Sequence, residues 1–144
     1  MNDEHYRKLE RTYASAPINK FYKPELEISG GKAIIRFDAD RKMHHAAHAV
    51  HGSVYFKALD DAAFFAANSQ VEDVFVLTVS FTIHMFRPVV GGMLTAEGWL
   101  THRTGRLFFA ESKLTDHEGN QIARGSGTFA RSGIALTPEI GYNL

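Results

Sequence analysis

The chain has 144 residues, 44% apolar and 22% charged, a size and mix that suit one globular unit rather than a disordered or fibrous one. Lys+Arg and Asp+Glu balance at 16 each, so the global charge signature of a nucleic-acid binder is missing. There is no cysteine, which excludes disulfides, thiolate nucleophiles and thiolate-ligated metals.

The opening MNDEHYRKLER is too charged for the apolar core of a signal peptide. No apolar run approaches the ~20 residues of a membrane helix. The expectation is a soluble cytoplasmic protein that engages neither membrane nor nucleic acid. Residues 3–14 read as a helix, with Tyr6, Leu9 and Tyr13 on one face and Asp3 and Glu4 in the first turn, where the helix dipole favours anions. Pro17 ends it. An extended stretch around Leu26–Ile28 and a strand over Lys32–Asp40 flank Gly30-Gly31, a hairpin signal. Ala33, Ile35 and Phe37 share one face of the second strand.

Met43–Gly52 is rich in His and small residues without a clean period, and reads as a loop. Ser53–Asn68 is the long central helix, apolar around almost its whole circumference. Such a helix must be buried on most sides. From Phe75 to Met85 the chain alternates: Phe75, Leu77, Val79, Phe81, Ile83 and Met85 on one face, Thr78, Ser80, Thr82 and His84 on the other. That pattern predicts core and interface. Turns at Pro88 to Gly92, Thr104-Gly105-Arg106 and His117 to Asn120 then separate strands over Met93–His102, Leu107–Asp116 and Gln121–Arg131. Gly125 and Gly127 mark a bend or a close backbone approach in the last strand. The tail 132–144 has no period and is expected to be irregular.

The sum is an α+β arrangement over residues 1–144 as a single domain. A curved antiparallel sheet of five to six strands wraps one long central helix, the hotdog shape. An N-terminal helix over 1–16 precedes it.

Polar residues interrupt the buried helix at two places. His51-Gly52-Ser53 stands at its start, and Asp60 and Asp61 in its middle. A carboxylate on a buried helix is costly unless paired or placed at a cleft, so it is a functional candidate. Asp61 points about 100° away from Asp60 and is expected to pair with a cation. Asp60 itself has a bland alternative, pairing with Lys57 or an arginine. At the helix start, first-turn N–H groups have no internal partner and can polarise a carbonyl oxygen. A glycine there admits close approach. An oxyanion donor together with a buried carboxylate suits thioester hydrolysis.

His51 through Asp60 resembles the HGG-x6-D signature of hotdog-fold acyl-CoA thioesterases of the phenylacetate-degradation (PaaI-like) type, in the 4-hydroxybenzoyl-CoA thioesterase superfamily. Thr78–Pro88, ending in Phe86-Arg87-Pro88, is similar to that family's strand with its R-P turn. Gly105-Arg106, Asp116, Gly119 and Gly125-x-Gly127-Thr128-Phe129 also match its usual spacing. The similarity covers about residues 20–131. It implies that the Gly52 N–H holds the thioester oxygen. It implies that Asp60, from the facing subunit of a homodimer or homotetramer, is general base or nucleophile, and that Thr78 helps hold the water. His45, His51 and Ser53 are then the substrate-binding residues. Two departures stand out: Ser53 replaces the second glycine of the motif, and His45 stands where Asn is common. The implied substrate is an acyl- or aryl-CoA, with no cofactor and no metal.

Other readings carry less. His44, His48 and His51 would share a face if helical, but no carboxylate completes a metal set nearby and no HExxH is present. Arg87, Arg103, Arg106 and Arg131 read as solvated charges, and Trp99 as a packing residue. A hotdog hydratase or dehydratase would carry a proline-glycine loop before the helix, and no proline lies between Pro24 and Pro88. A non-catalytic acyl-CoA binding or regulatory module would keep the pocket and dispense with Asp60.

Overall fold

A computed structural model, which describes residues 2–144, sets one long helix against a six-stranded sheet. The first helix, α1 (Asp3–Ser15), buries Tyr6, Leu9 and Tyr13 as its spacing predicts. A single turn that the sequence did not suggest, α2 (Asn19–Tyr22), follows Pro17. Strands β1 (Glu25–Ser29) and β2 (Lys32–Ala39) form the expected hairpin, and Ala33, Ile35 and Phe37 of β2 are buried. Next come a short 3-10 turn at Arg41–Met43, the His-rich loop and the central helix α3 (Gly52–Asn68). The chain closes with β3 (Val74–Met85), β4 (Gly92–Arg103), β5 (Leu107–Thr115) and β6 (Gln121–Ala135). The sheet order is β1-β2-β4-β5-β6-β3, antiparallel throughout. Among the described residues no helix is long and apolar enough to cross a membrane.

Small side chains let α3 lie very close to the sheet. Ala58, Leu59, Ala62, Ala63, Ala66 and Ala67 have no exposed surface. At Gly98 of β4 the helix backbone itself is the neighbour: a Cβ there would stand 2.3 Å from the carbonyl carbon and oxygen of Ala62. The expectation of a helix enclosed nearly all round needs one correction. Ser53, Phe56, Lys57, Asp60 and Asp61 form a stripe that is exposed or half-buried. Their spacing of three and four residues puts them on one face, turned away from β4 and bordered by the edge strand β3.

The end of α3 is fixed by a buried amide. Asn68 donates to the carbonyls of Val71 and Val74, each at 3.1 Å, and its oxygen accepts the Val76 N–H at 2.8 Å. Every polar atom of that side chain is used, as burial without exposure demands. The helix is thereby tied to β3, the strand that faces its polar stripe.

β3 departs from simple alternation. Register shifts occur between Val74 and Val76 and between Thr78 and Ser80, where it pairs with β6. At the first the extra residues lie on β6, where residues 132–134 stand opposite Phe75 alone; at the second Val79 is the extra residue of β3, and it turns the side chains that follow to the other face. The buried residue is Val76, while Leu77 and Val79, on the face expected to serve core and interface, are 47% and 61% exposed. Past the second bulge Phe81 turns inward, with its ring against Gly125 and Gly127 of β6. A Cβ at either glycine would stand 2.5 Å from it. The close approach expected at these glycines is this aromatic contact. The bulge also lets Thr78 and Phe81, three apart, both reach α3.

The tail is more ordered than its composition suggests. β6 runs on to Ala135 and a 3-10 turn follows at Pro138–Ile140. Pairing with β3 continues to Val74↔Ala135, and a ladder needs backbone groups rather than an apolar period. Tyr142 then folds back on α1, its hydroxyl 2.6 Å from Nδ1 of the buried His5, whose Nε2 lies 3.0 Å from the Asn68 carbonyl.

Because backbone rather than a flexible side chain faces Gly98, replacing it by alanine must move α3 off the sheet. Gly98→Ala is expected to cost about 1–3 kcal/mol, read as a lower urea midpoint at unchanged m-value.

Candidate active site

The stripe on α3 forms the floor of a cleft of about 1090 Å³. Tyr13 of α1 and Tyr22 of α2 wall one side, Phe64, Phe65 and Phe75 another, and Ile134 with Pro138–Gly141 of the tail a third. The aromatic rings pack edge to face: Phe64 with Phe75 at 4.9 Å, Phe64 with Phe65 at 5.0 Å and Tyr13 with Phe65 at 5.1 Å between centroids. The lining is mostly apolar, with Lys57, Asp60, Asp61 and Glu139 as its acidic and basic residues.

Those aspartates have different surroundings. Asp61 is engaged on one oxygen by the Lys57 ammonium and by the Tyr13 hydroxyl, which donates at 2.7 Å. The cation partner expected for Asp61 is Lys57, so the competing idea that Lys57 pairs with Asp60 does not hold. Asp60 receives only the Thr78 hydroxyl, at 3.0 Å on Oδ1. Burial pushes the Asp60 carboxyl up to about 6, and the neighbouring Asp61 adds to the rise; the Thr78 hydrogen bond and Lys57 oppose it. Asp60 and Thr78, read separately from the sequence, are brought into contact.

The second group of expected residues gathers at the start of α3. His51 is the N-cap; its Nδ1 accepts the Ser53 N–H at 2.9 Å, and Ser53 Oγ lies at 2.9 Å from the same nitrogen. A nitrogen that accepts a backbone N–H carries no proton, so in neutral His51 the ring proton is on Nε2. His45 does likewise, its Nδ1 accepting the Ala47 N–H at 3.0 Å, and its ring centroid is 6.4 Å from that of His51. The Ser53 N–H is thus consumed by the cap, whereas the Gly52 N–H has no acceptor among the described residues. Met85 Sδ would be 3.0 Å from a Cβ at Gly52, so Met85 occupies the Cβ side of that glycine. The loop carrying the other histidines is not helical, and His44 Nε2 is 2.7 Å from the Val90 carbonyl oxygen. Among the described residues no three His, Asp or Glu side chains converge as a metal set would.

The two groups do not meet within one chain. Gly52 and Asp60 are eight residues apart on one helix, roughly 12 Å along its axis. Sequence reasoning missed the roles of Tyr13 and Tyr22 and the tail wall, because these come from remote parts of the chain. Only the Lys57–Asp61 spacing left a local trace.

A family model described as the thioesterase superfamily matches residues 47–123, more than half of the chain. The chain belongs to the thioesterase superfamily. The match includes His51, Gly52, Asp60 and Thr78. Among solved structures, this superfamily member is similar to the PaaI protein of the phenylacetic acid degradation operon of E. coli, at 20% identity over 93% of this chain and 97% of that one, TM-score 0.84. It is similar to a variant of the phenylacetic acid degradation protein PaaI of Thermus thermophilus, at 18% identity over 81% and 100%, TM-score 0.73. It is similar also to a thioesterase of Haemophilus influenzae, at 15% identity over 83% and 85%, TM-score 0.75. These likenesses establish the hotdog fold expected from the sequence. No curated protein matches the chain.

Removing the Thr78 hydroxyl removes a hydrogen bond that favours the ionised Asp60. Thr78→Val is therefore expected to raise the Asp60 midpoint above about 6, followed by carboxyl-carbon NMR titration.

Proposed function

We propose that this thioesterase-superfamily chain hydrolyses an acyl- or aryl-CoA thioester to the free acid and CoA, with Asp60 as general base. The observation that carries the reading is the contrast between the two carboxylates. Asp61 is neutralised by a cation, while Asp60 faces the same apolar cleft with only the Thr78 hydroxyl. A carboxylate kept without a cation in a cleft, with its pKa lifted toward neutrality, is poised for proton transfer.

In the proposed reaction Asp60, oriented by Thr78, takes a proton from water as the water oxygen attacks the thioester carbonyl. The tetrahedral oxyanion is held by the Gly52 N–H at the start of α3, where the helix dipole adds to the stabilisation. His45, His51 and Ser53 flank that end and would contact the substrate. Collapse breaks the C–S bond, and the proton on Asp60 leaves with the CoA thiol.

The ~12 Å between Gly52 and Asp60 in one chain favours a site completed by a second copy. The edges of the sheet support this. β1 is short and carries exposed Glu25 and Glu27, which guard it. β3 is a 12-residue edge strand with exposed Leu77 and Val79 and no charged residue before His84. An unguarded apolar edge of that length suits pairing with its own copy about a two-fold axis. A homodimer, or a tetramer of such dimers, is the expected assembly, and sedimentation showing a monomer at micromolar concentration would remove the shared site.

Thiol release from a panel of acyl-CoAs tests the chemistry. Asp60→Asn is expected to lower kcat/KM by about 10²–10⁴ with an unchanged fold. Since the base must be ionised, wild-type kcat/KM is expected to rise with pH through about 6 and then level off. Full activity in Asp60→Asn would sink the assignment. Acyl-CoA binding without thiol release would make the chain a binding module.

A further inference from the structure

Lys57 lies three residues before Asp60 and four before Asp61, and either spacing allows an ion pair on a helix. The choice is made from outside the helix. Tyr13 of α1 donates its hydroxyl hydrogen to Asp61 Oδ2 at 2.7 Å and accepts a hydrogen bond from Lys57 Nζ at 3.2 Å, closing a three-membered ring of contacts. The ammonium also lies 4.9 Å from the ring centroids of both Tyr13 and Tyr22. Two aromatic faces and one hydroxyl therefore hold the cation on the Asp61 side. The pair is well enclosed, with side-chain exposures of 11% for Lys57 and 20% for Asp61.

We infer that Lys57, Asp61 and Tyr13 are a positioning network whose task is to occupy the only lysine or arginine among the described residues of the cleft wall with Asp61, so that Asp60 stays unpaired and serves as the base. This inference rests on the thioesterase reading given above and extends it to residues that touch no reacting atom. Asp61 and Lys57 sum to zero charge, which leaves Asp60 as the carboxylate whose proton can move. Burial and Asp61 both hold the Tyr13 phenol protonated, so it remains a donor over the whole working pH range. The remaining groups facing this part of the cleft are Thr78 from β3, Tyr22 from α2 and Glu139 from the tail.

The network makes a prediction that ordinary structural damage does not. Lys57→Gln leaves the Asp61 charge uncompensated beside Asp60, so the Asp60 proton is held more tightly. Asp61→Asn leaves the Lys57 cation uncompensated, so that proton is held less tightly and Lys57 becomes free to pair with Asp60 three residues away. The acid limb of kcat/KM against pH is expected to move up in the first variant and down in the second, each by roughly 1 pH unit. Lys57→Arg, which keeps the charge, is expected to leave the limb near its wild-type position. Shifts in the same direction, or no shift in either folded variant, would overturn the inference.

Carboxyl-carbon NMR titration of Asp60 in the same variants reads the same opposed shifts without any substrate. If no acyl-CoA is turned over while the titrations still diverge, the thioesterase reading fails and the network stands. If turnover is present and the titrations coincide, the network fails alone.

Discussion

The contact between the α3 backbone and β4 at Gly98 sets the terms for the rest of the molecule. Only a residue without a Cβ lets the Ala62 carbonyl come so close, and only a helix rich in alanine can press against a sheet along that face. With one face of α3 committed in this way, the opposite face meets only the edge strand β3 of the sheet. The rest of it is left to α1, α2 and the tail, which cover it incompletely. The cleft is what remains between them, and the polar residues of the helix lie along its floor because no other face is available to them.

A carboxylate held in such a place costs stability. The folded Asp60 titrates near 6, above its ordinary value of 3.8. A group whose pKa is raised on folding disfavours the folded state once pH climbs through that interval, because the unfolded chain gives up the proton more readily. The chain contains the means to avoid this, since Lys57 is within reach, yet the lysine is directed elsewhere. Local stability is sacrificed at one residue, and the neighbouring aspartate, one position on, is fully compensated. That asymmetry between adjacent identical residues is the observation on which the proposed role of Asp60 rests.

Much of the fold was legible because period reports burial. The central helix, the hairpins and the His51–Asp60 stretch could be read directly, since each depends on residues near one another in sequence. The irregularities in the β3–β6 pairing could not. Val79 is as good a strand residue as its neighbours, and nothing in its chemistry shows that it lacks a directly opposed partner on β6. The choice of Lys57 between two aspartates was equally hidden: both spacings are permitted on a helix, and the decision belongs to Tyr13, 44 residues away. Asp60 and Thr78 were each identifiable, but their contact across the α3–β3 turn depends on Asn68 fixing that turn and on the bulge that follows Thr78. The tail looked irregular because its order comes from one ladder and one hydroxyl–imidazole contact, neither of which has a period.

The cleft joins parts of the chain that are far apart in sequence. Its floor, with Asp60, falls inside residues 47–123, the stretch matched by the family model, whereas its walls at residues 12–22 and 134–141 fall outside it. Substitutions in those walls would reshape the cleft while leaving the sheet, the central helix and Asp60 in place. The Tyr142–His5 contact fastens the tail to α1, so two walls of the cleft that lie more than a hundred residues apart in sequence are held as one piece.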